Sequence, residues 1–290
     1  MRVVVFGASG VIGRAVVPEL ARRGAVVAVS RRSREPQDGV VWAAADATDA
    51  AAVDDVLRRD DVVVYLVHSL GADDFEQVDR RAADTVAAAA GRAGVRQIVY
   101  LGGLGATPDA ESAHLRSRAE TAERLSAGPV PVTTLRAGMV VGSGSAAFET
   151  ISALVDRLPA MICPRWVSTP TQPIALRDVV AYIAGVCGQE AAHGRSFDIA
   201  GPEVMTYRGM IERIARLRGK RLPIIEVPVL TPRLSSWWLH LVTPVNASVA
   251  RPLVDGLRTP TVAREDSIRE LVPIEPTGFD EAVQLALERG

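Results

Sequence analysis

The first thirteen residues constrain the fold of this chain more strongly than any other segment. The unbroken apolar run at 3–6 predicts a strand that is buried on both faces. Gly7, Gly10 and Gly13 follow at intervals of three, and a helical pattern starts directly after them. A second apolar strand at 25–30 supplies the context that a dinucleotide-binding glycine motif requires. We therefore predict a nucleotide site here, in preference to an ordinary turn with chance glycines.

The glycine loop predicts contacts with a pyrophosphate. Gly7 permits a tight turn, Gly10 permits close approach of the phosphates, and Gly13 permits close packing of the helix on the strand. Backbone N–H groups and the positive end of the helix then point at the anion. The predicted cofactor contacts in this segment are Gly7, Ser9, Gly10, Val11, Ile12 and Gly13.

The residues at the end of the second strand bear on the choice of cofactor. An acidic residue at this position binds the 2′-hydroxyl of the adenosine ribose, whereas this chain has Ser30 followed by Arg31 and Arg32. Guanidinium groups suit a 2′-phosphate. Because the acid is missing and bases are present, we expect NADP(H) to be preferred over NAD(H). The alternative is that the arginines only belong to a polar surface loop.

Strands alternate with helices as far as residue 136, which is the pattern of a doubly wound parallel α/β sheet. We expect an NADP-binding Rossmann fold over 1–142 and a smaller α+β substrate domain mainly over 143–290, with about 172–200 returning to the sheet. Prolines at 159, 164, 170 and 173 predict irregular structure. Helices are predicted at 74–94, 111–126, 177–186, 207–218, 231–243, 247–257 and 278–288.

Ligands of such sheets bind at the carboxyl ends of the strands. The other predicted cofactor contacts stand at these ends: Asp46, Ala47, Leu66, Val67, His68, Gly102, Ala137 and Met139. The Asp46 carboxylate suits an adenine amino group, but Asp46 or Asp49 suits equally well as the cap of the helix that follows. His68 is interpreted as a ribose contact or a hydrogen-bonded core histidine rather than as a catalyst.

Charge and cysteine content exclude several classes of protein. The net charge of −1 gives no reason to expect nucleic acid or an anionic membrane as partner. No apolar run approaches the roughly 20 residues of a membrane span, and the first strand starts too early for a signal peptide. Cys163 and Cys187 are too few for a disulfide framework, and no metal-ligand motif appears. We expect a cytoplasmic protein that binds a small-molecule substrate; its oligomeric state is not predicted.

These residues resemble the short-chain dehydrogenase/reductase superfamily, in its extended and atypical branch of NmrA-like and nucleoside-diphosphate-sugar epimerase-like proteins. The segments that carry the resemblance are 7–13 (GASGVIG), Asp46, 61–66 (DVVVYL), 135–142 (LRAGMVVG), 172–179 (QPIALRDV) and 201–207 (GPEVMTY). The resemblance covers nearly the whole chain. It implies an NAD(P)-dependent oxidoreductase fold with a C-terminal substrate domain.

The catalytic positions depart from the superfamily pattern. The resemblance implies a Tyr-x-x-x-Lys pair and a serine, where this chain has His114, Arg118 and the glycines at 102 and 103. His114 is the candidate acid, and Arg118 is the candidate contact for the nicotinamide ribose. Glu111 is the carboxylate that the sequence places nearby. The alternative that we favour treats both residues as solvated helix positions or ribose contacts without acid–base work.

Two classes of function remain. The first is NADPH-dependent reduction of a quinone, an enone or another small carbonyl compound without the usual tyrosine. The second is a non-catalytic NADP(H) sensor or assembly factor. Sugar-nucleotide epimerisation is less favoured, because it needs a base where His114 stands and NADP is not its usual cofactor. The loop at 138–145 and the pair Trp237–Trp238 are predicted to wall an apolar pocket.

Overall fold

The computed structural model describes residues 1–32, 34–35, 39–69, 72, 74–227 and 256–288. The strands in this part of the chain are β1 Arg2–Phe6, β2 Ala25–Ser30, β3 Val40–Ala44, β4 Val62–Tyr65, β5 Gln97–Gly103, β6 Val132–Ala137, β7 Val140–Val141, β8 Met161–Pro164, β9 Pro170–Thr171, β10 Ile174–Ala175, β11 Ser196–Ile199, β12 Met205–Thr206 and β13 Ile224–Val227. The helices are α1 Val11–Ala21, α2 Ala50–Val56, α3 Phe75–Ala93, α4 Ala113–Ser126, α5 Ala146–Arg157, α6 Leu176–Val186, α7 Tyr207–Leu217, α8 Ile268–Leu271 and α9 Phe279–Glu288.

The main sheet of the described residues contains seven parallel strands in the order β11-β6-β5-β4-β1-β2-β3. The chain winds outward from β1 in one direction through β2 and β3, and in the other direction from β4 onward. A doubly wound sheet opens its ligand crevice where these two directions part. The predicted Rossmann-like α/β fold is confirmed.

Helices cover both faces of the sheet, which explains why its central strands are apolar without interruption. Successive residues of a strand point to opposite faces. Val3 and Val5 belong to the core that includes α1 and α6, whereas Val4 and Phe6 belong to the core under α3. Gly94 ends α3 in the left-handed conformation, with φ of +73°, which glycine adopts without steric cost.

A third apolar core lies in the second half of the chain, between α5, α7, α9 and the parallel pair β8–β13. The irregular structure expected around the prolines is in part wrong, because β8 pairs with β13 and the sequence did not indicate α5. The strand β11 pairs with β6 of the main sheet. The predicted helices at 231–243 and 247–257, with the pair Trp237–Trp238, lie outside the described residues except for 256–257.

Two properties of the described residues bear on function. None of their helices is both long enough and apolar enough to cross a membrane. Within the same residues, no group of three or more His, Cys, Asp or Glu side chains is arranged to hold a metal ion.

Candidate functional site

The glycine loop between β1 and α1 is shaped to receive an anion. Gly7 has a left-handed φ of +82°, and a Cβ on it would lie 2.9 Å from the backbone of Leu66. A Cβ on Gly13 would overlap the backbone of Gly7 and Ala8. Gly10 caps α1 without any side-chain hydrogen bond. Since the first N–H groups of a helix lack partners within it, this end of α1 offers donors to a phosphate.

A cavity of about 660 Å³ runs from this loop along the carboxyl ends of the strands. Ten residues predicted to bind the cofactor line it: Gly7, Ser9, Gly10, Ser30, Arg31, Asp46, Ala47, Leu66, Val67 and His68. The other eight lie outside its lining: Val11, Ile12, Gly13, Arg32, Gly102, Arg118, Ala137 and Met139. The eight further lining residues were not predicted as cofactor contacts: Phe6, Val29, Ala45, Thr48, Ser69, Ala72, Val78 and Ala82.

One end of the cavity carries Arg31 and Asp46. Both Arg31 and Arg32 are exposed, and the Arg32 carbonyl accepts a hydrogen bond from Ser30 Oγ at 2.6 Å. The Asp46 Oδ1 atom accepts from the backbone N–H and the hydroxyl of Thr48 at 2.9 and 2.7 Å. The backbone hydrogen bond is the main cause of a lowered pKa for Asp46. Asp46 is therefore an ionised carboxylate on the cavity wall.

The sequence did not decide whether Asp46 or Asp49 caps the helix that follows, and in the structure the cap is Asp49. Its Oδ1 atom accepts from the backbone N–H groups of Ala51 and Ala52 at 3.0 and 3.3 Å, at the start of α2. This pairing satisfies two of the N–H groups that a helix leaves open at its beginning. Asp46 has no part in the cap.

At the other end of the cavity, His68 belongs to a row of three hydrogen-bonded side chains. His68 Nδ1 lies 2.7 Å from Asp79 Oδ2, and His68 Nε2 lies 3.1 Å from His114 Nδ1. The backbone N–H of Ser69 donates to Asp79 Oδ1 at 2.8 Å. His68 comes from the loop that follows β4, Asp79 from the second turn of α3 and His114 from the first turn of α4. His114 does not line the cavity itself; it extends the chain from His68.

The protonation states of this chain follow from its burial. Burial, together with the smaller effects of the neighbouring His68 and Arg118, lowers the pKa of His114 to about 3. Burial also lowers the pKa of His68, although the hydrogen bond with Asp79 opposes this. For Asp79, burial raises the pKa, but hydrogen bonds from His68 and Ser69 outweigh it and the pKa is lowered. At neutral pH these three hydrogen-bonded side chains are therefore two neutral imidazoles and one carboxylate.

Arg118 is held against β5. Its guanidinium donates to the Leu101 carbonyl and lies over the Tyr100 ring, 5.1 Å from the ring centre. The Tyr100 hydroxyl in turn donates to the Arg118 carbonyl at 3.0 Å. Like His114, Arg118 is half-buried and has defined partners. Neither residue is therefore a solvated helix position, whereas their interpretation as ribose contacts without acid–base work stays a prediction.

The glycines at the superfamily's serine position lie within β5. A Cβ on Gly102 would lie 3.3 Å from the Tyr100 ring, whereas the nearest atom to a Cβ on Gly103 would be 3.9 Å away, on Leu115. Position 103 therefore has room for a small side chain. At the end of β6, the Ala137 carbonyl accepts from the Leu104 N–H, and beyond this strand the Met139 carbonyl accepts from the Ile174 N–H.

Sequence reasoning named the wrong carboxylate for His114. Glu111 is exposed, and its backbone carbonyl accepts a hydrogen bond from the Arg116 guanidinium. The signal for Asp79 is its place on α3, four residues after Phe75 and four before Ala83, both of which are buried. An acid at that spacing stands on the buried face of a helix, and a buried charge needs partners.

Comparison with known proteins identifies the family. The family model described as NAD(P)H-binding matches residues 7–141. A relative from Streptomyces griseus, named as a (4-alkanoyl-5-oxo-2,5-dihydrofuran-3-yl)methyl phosphate reductase, is 30% identical over 78% of this chain and 77% of its own length. This chain belongs to the NAD(P)H-binding family. The resemblance to atypical short-chain dehydrogenases/reductases is thereby confirmed.

Two more distant matches extend the comparison. The mitochondrial NADH dehydrogenase (ubiquinone) 1 alpha subcomplex subunit 9 of Arabidopsis thaliana is 25% identical over 72% of this chain, which spans just over half (56%) of that protein. The structure of an NADPH-dependent quinone oxidoreductase from Escherichia coli, complexed with NADPH, superposes with a TM-score of 0.78 at 20% identity. The superposition covers 98% of this chain and 99% of the E. coli chain, which shows a common fold.

The low pKa of His114 predicts that stability falls in mild acid. Between the ordinary histidine pKa of 6.5 and about 3, the unfolded chain binds a proton that the folded chain does not bind. The free energy of unfolding therefore decreases as the pH falls through this window, by about 1–2 kcal/mol between pH 7 and pH 5 for this group. In His114→Gln we expect a smaller decrease, measured by urea unfolding at the two pH values. Equal decreases in the two proteins would contradict the burial of a neutral His114.

Proposed function

We propose that this protein is an NADPH-dependent reductase of a conjugated carbonyl compound, a quinone or an enone. The observation that carries the proposal is the course of the cleft. It runs continuously from the glycine loop to His68, and His68 is hydrogen-bonded to His114, the residue at the position of the superfamily's tyrosine. One cleft thus joins a phosphate-binding end to a group that can interact with a substrate oxygen.

The residues present fit a dinucleotide. In the proposal the N–H groups around Gly10 hold the pyrophosphate, Arg31 with Arg32 holds the 2′-phosphate, and Asp46 faces the adenine. The residues at the far end, Leu66 to His68 and Arg118, face the nicotinamide half. When bound, NADPH supplies the hydride. The remaining predicted contacts, Val11, Ile12, Gly13, Ala47, Gly102, Ala137 and Met139, are proposed to shape the same site.

The neutral histidine pair supports the choice of a conjugated acceptor. Reduction of a simple ketone needs a proton at the oxygen as the hydride arrives, and a positioned acid typically contributes a factor of about 10²–10⁴. An enone or a quinone spreads the incoming charge over its conjugated system, so that water can protonate the product later. The S. griseus relative is named as a reductase of a conjugated oxo compound, and the E. coli oxidoreductase is named for a quinone.

Residues 143–290 are proposed to bind the substrate. A Cβ on Gly144 would lie 3.3 Å from the Val11 side chain, which places this loop against the start of α1. A Cβ on Gly256 would lie 3.6 Å from Ser112 Oγ, two residues before His114. Segments of the second half therefore border both ends of the proposed nicotinamide region. We place the protein in the cytoplasm, in keeping with two free and buried cysteines.

The proposal is tested by NADPH oxidation with a panel of quinones, enones and simple ketones. We expect turnover of quinones or enones and little or no turnover of ketones. Silence across the panel together with tight NADPH binding would contradict the reductase. It would favour the second candidate, a non-catalytic NADP(H)-binding protein, which the similarity to the Arabidopsis NADH dehydrogenase subunit supports.

Cofactor choice gives a separate prediction. Removing both guanidiniums in Arg31→Ala with Arg32→Ala is expected to weaken NADPH binding by at least tenfold and to leave NADH binding nearly unchanged, because each good contact to the 2′-phosphate contributes about 1.5–3 kcal/mol. Fluorescence titration with both cofactors measures this. The matched control is Arg92→Ala with Arg96→Ala, which removes two exposed arginines paired with Asp54 and Glu190. Equal loss of both cofactors would contradict the assignment.

A further inference from the structure

The hydrogen bonds around Asp79 have one consistent direction. Its carboxylate is 2% exposed and receives the Ser69 N–H at 2.8 Å and the Ser117 hydroxyl at 3.1 Å. An ionised carboxylate can only accept hydrogen bonds. The 2.7 Å contact with His68 Nδ1 is therefore a donation from the imidazole, which places a hydrogen on His68 Nδ1.

This direction continues through both rings. A neutral imidazole with a hydrogen on Nδ1 has a lone pair on Nε2. His68 Nε2 faces His114 Nδ1 at 3.1 Å, so His114 must supply the hydrogen of this contact from its own Nδ1. The other nitrogen of His114, Nε2, is then left with a lone pair. Arg118 adds a positive charge nearby and so opposes a second proton on His114.

We propose that Asp79 acts through His68 to hold His114 with its Nε2 free of hydrogen, so that the site accepts a hydrogen bond from a hydroxyl group of the substrate. Asp79 is then a positioning residue, because it acts through His68 and not on the substrate. The substrate class is narrowed to conjugated acceptors that carry a hydroxyl near the reacting carbon. This rests on the proposed function, since that function brings the substrate to His114.

The variant Asp79→Asn should reverse these hydrogen bonds while keeping a contact to each group that Asp79 touches. The amide oxygen can still accept from the Ser69 N–H, and the amide NH₂ can donate to Ser117 Oγ and to His68 Nδ1. His68 then carries its hydrogen on Nε2 and donates to His114 Nδ1. His114 in turn carries its hydrogen on Nε2 and becomes a donor to the substrate. A loss of structure alone would not produce this inversion.

The direction of these hydrogen bonds is measured by NMR on protein with ¹⁵N-labelled histidine. The signals of the two imidazoles are assigned with the variants His68→Gln and His114→Gln. We expect both imidazoles to carry hydrogen on Nδ1 in the wild type and on Nε2 in Asp79→Asn. The matched control is Asp84→Asn, which removes an exposed carboxylate of the same helix that pairs with Arg124. A wild-type His114 with hydrogen on Nε2, or an unchanged pattern in Asp79→Asn, would overturn the inference.

The consequence for substrates is measured with 2-(hydroxymethyl)-2-cyclohexenone and its methyl ether. Wild type and Asp84→Asn are expected to favour the hydroxyl compound by about tenfold in kcat/KM, whereas Asp79→Asn loses this preference with unchanged NADPH binding. An equal preference in Asp79→Asn and wild type would overturn the role of Asp79. Absence of turnover with either compound in every protein would refute the proposed function, and the NMR result would still decide the direction of the chain.

Discussion

Gly10→Val is expected to abolish NADPH binding while leaving the protein folded. Gly10 has φ of −73° and ψ of 174°, which any residue adopts without strain. The nearest protein atom to a Cβ there would be the Gly7 carbonyl oxygen at 3.3 Å, so the side chain fits the protein with a small adjustment. It would stand where the pyrophosphate approaches the end of α1. The loss should therefore be confined to the ligand.

Thermal unfolding with and without NADPH measures this loss. A ligand at about 100 times its Kd stabilises a protein by about 2.7 kcal/mol, and we expect this stabilisation in wild type and none in Gly10→Val. Gly209→Val, in α7 and outside the cavity lining, is the control for adding the same side chain. A Gly10→Val protein that NADPH stabilises like wild type would show that the loop has only a structural role.

The second large effect is expected between two matched substrates. We expect 2-cyclohexenone to be reduced at least about 100-fold faster than cyclohexanone, because His114 offers a lone pair and no proton at neutral pH. Steady-state NADPH oxidation at equal concentrations of the two compounds gives the ratio.

The control for this ratio is Asp79→Asn, in which His114 is expected to become a donor. The ratio should then fall, because the ketone gains a hydrogen bond to its oxygen. Comparable rates for the two compounds in wild type, with ketone reduction lost in His114→Ala, would contradict the account and make His114 a proton donor.

The sequence was sufficient to predict the sheet and the glycine loop. The central strands are buried on both faces, so their apolar runs are continuous and unmistakable, and the loop glycines meet steric requirements that few other sequences satisfy. Ten of the residues predicted to bind the cofactor consequently line one cavity. The helix α5 was missed because the prolines that follow it dominate the local pattern.

The hydrogen bonds that join Asp79, His68 and His114 could not be predicted from the sequence. Asp79, His68 and His114 meet only because β4, α3 and α4 pack at one edge of the sheet, and sequence separation says nothing about that distance. The sequence supplied the nearer carboxylate, Glu111, which the start of α4 leaves exposed. The resemblance to the superfamily indicated that His114 stands at the tyrosine position, but the protonation state of His114 depends on its burial and on its partners.

Transfer of deuterium from the cofactor tests the central claim most directly. Wild-type protein is incubated with 2-cyclohexenone and NADPH deuterated at C4 of the nicotinamide, separately in the two stereochemical forms, and the product is analysed by mass spectrometry and NMR. The account predicts one deuterium at the carbon conjugated to the carbonyl, at position 3 of the ring, from only one of the two forms. NADPH that binds tightly but transfers no deuterium from either form would contradict it.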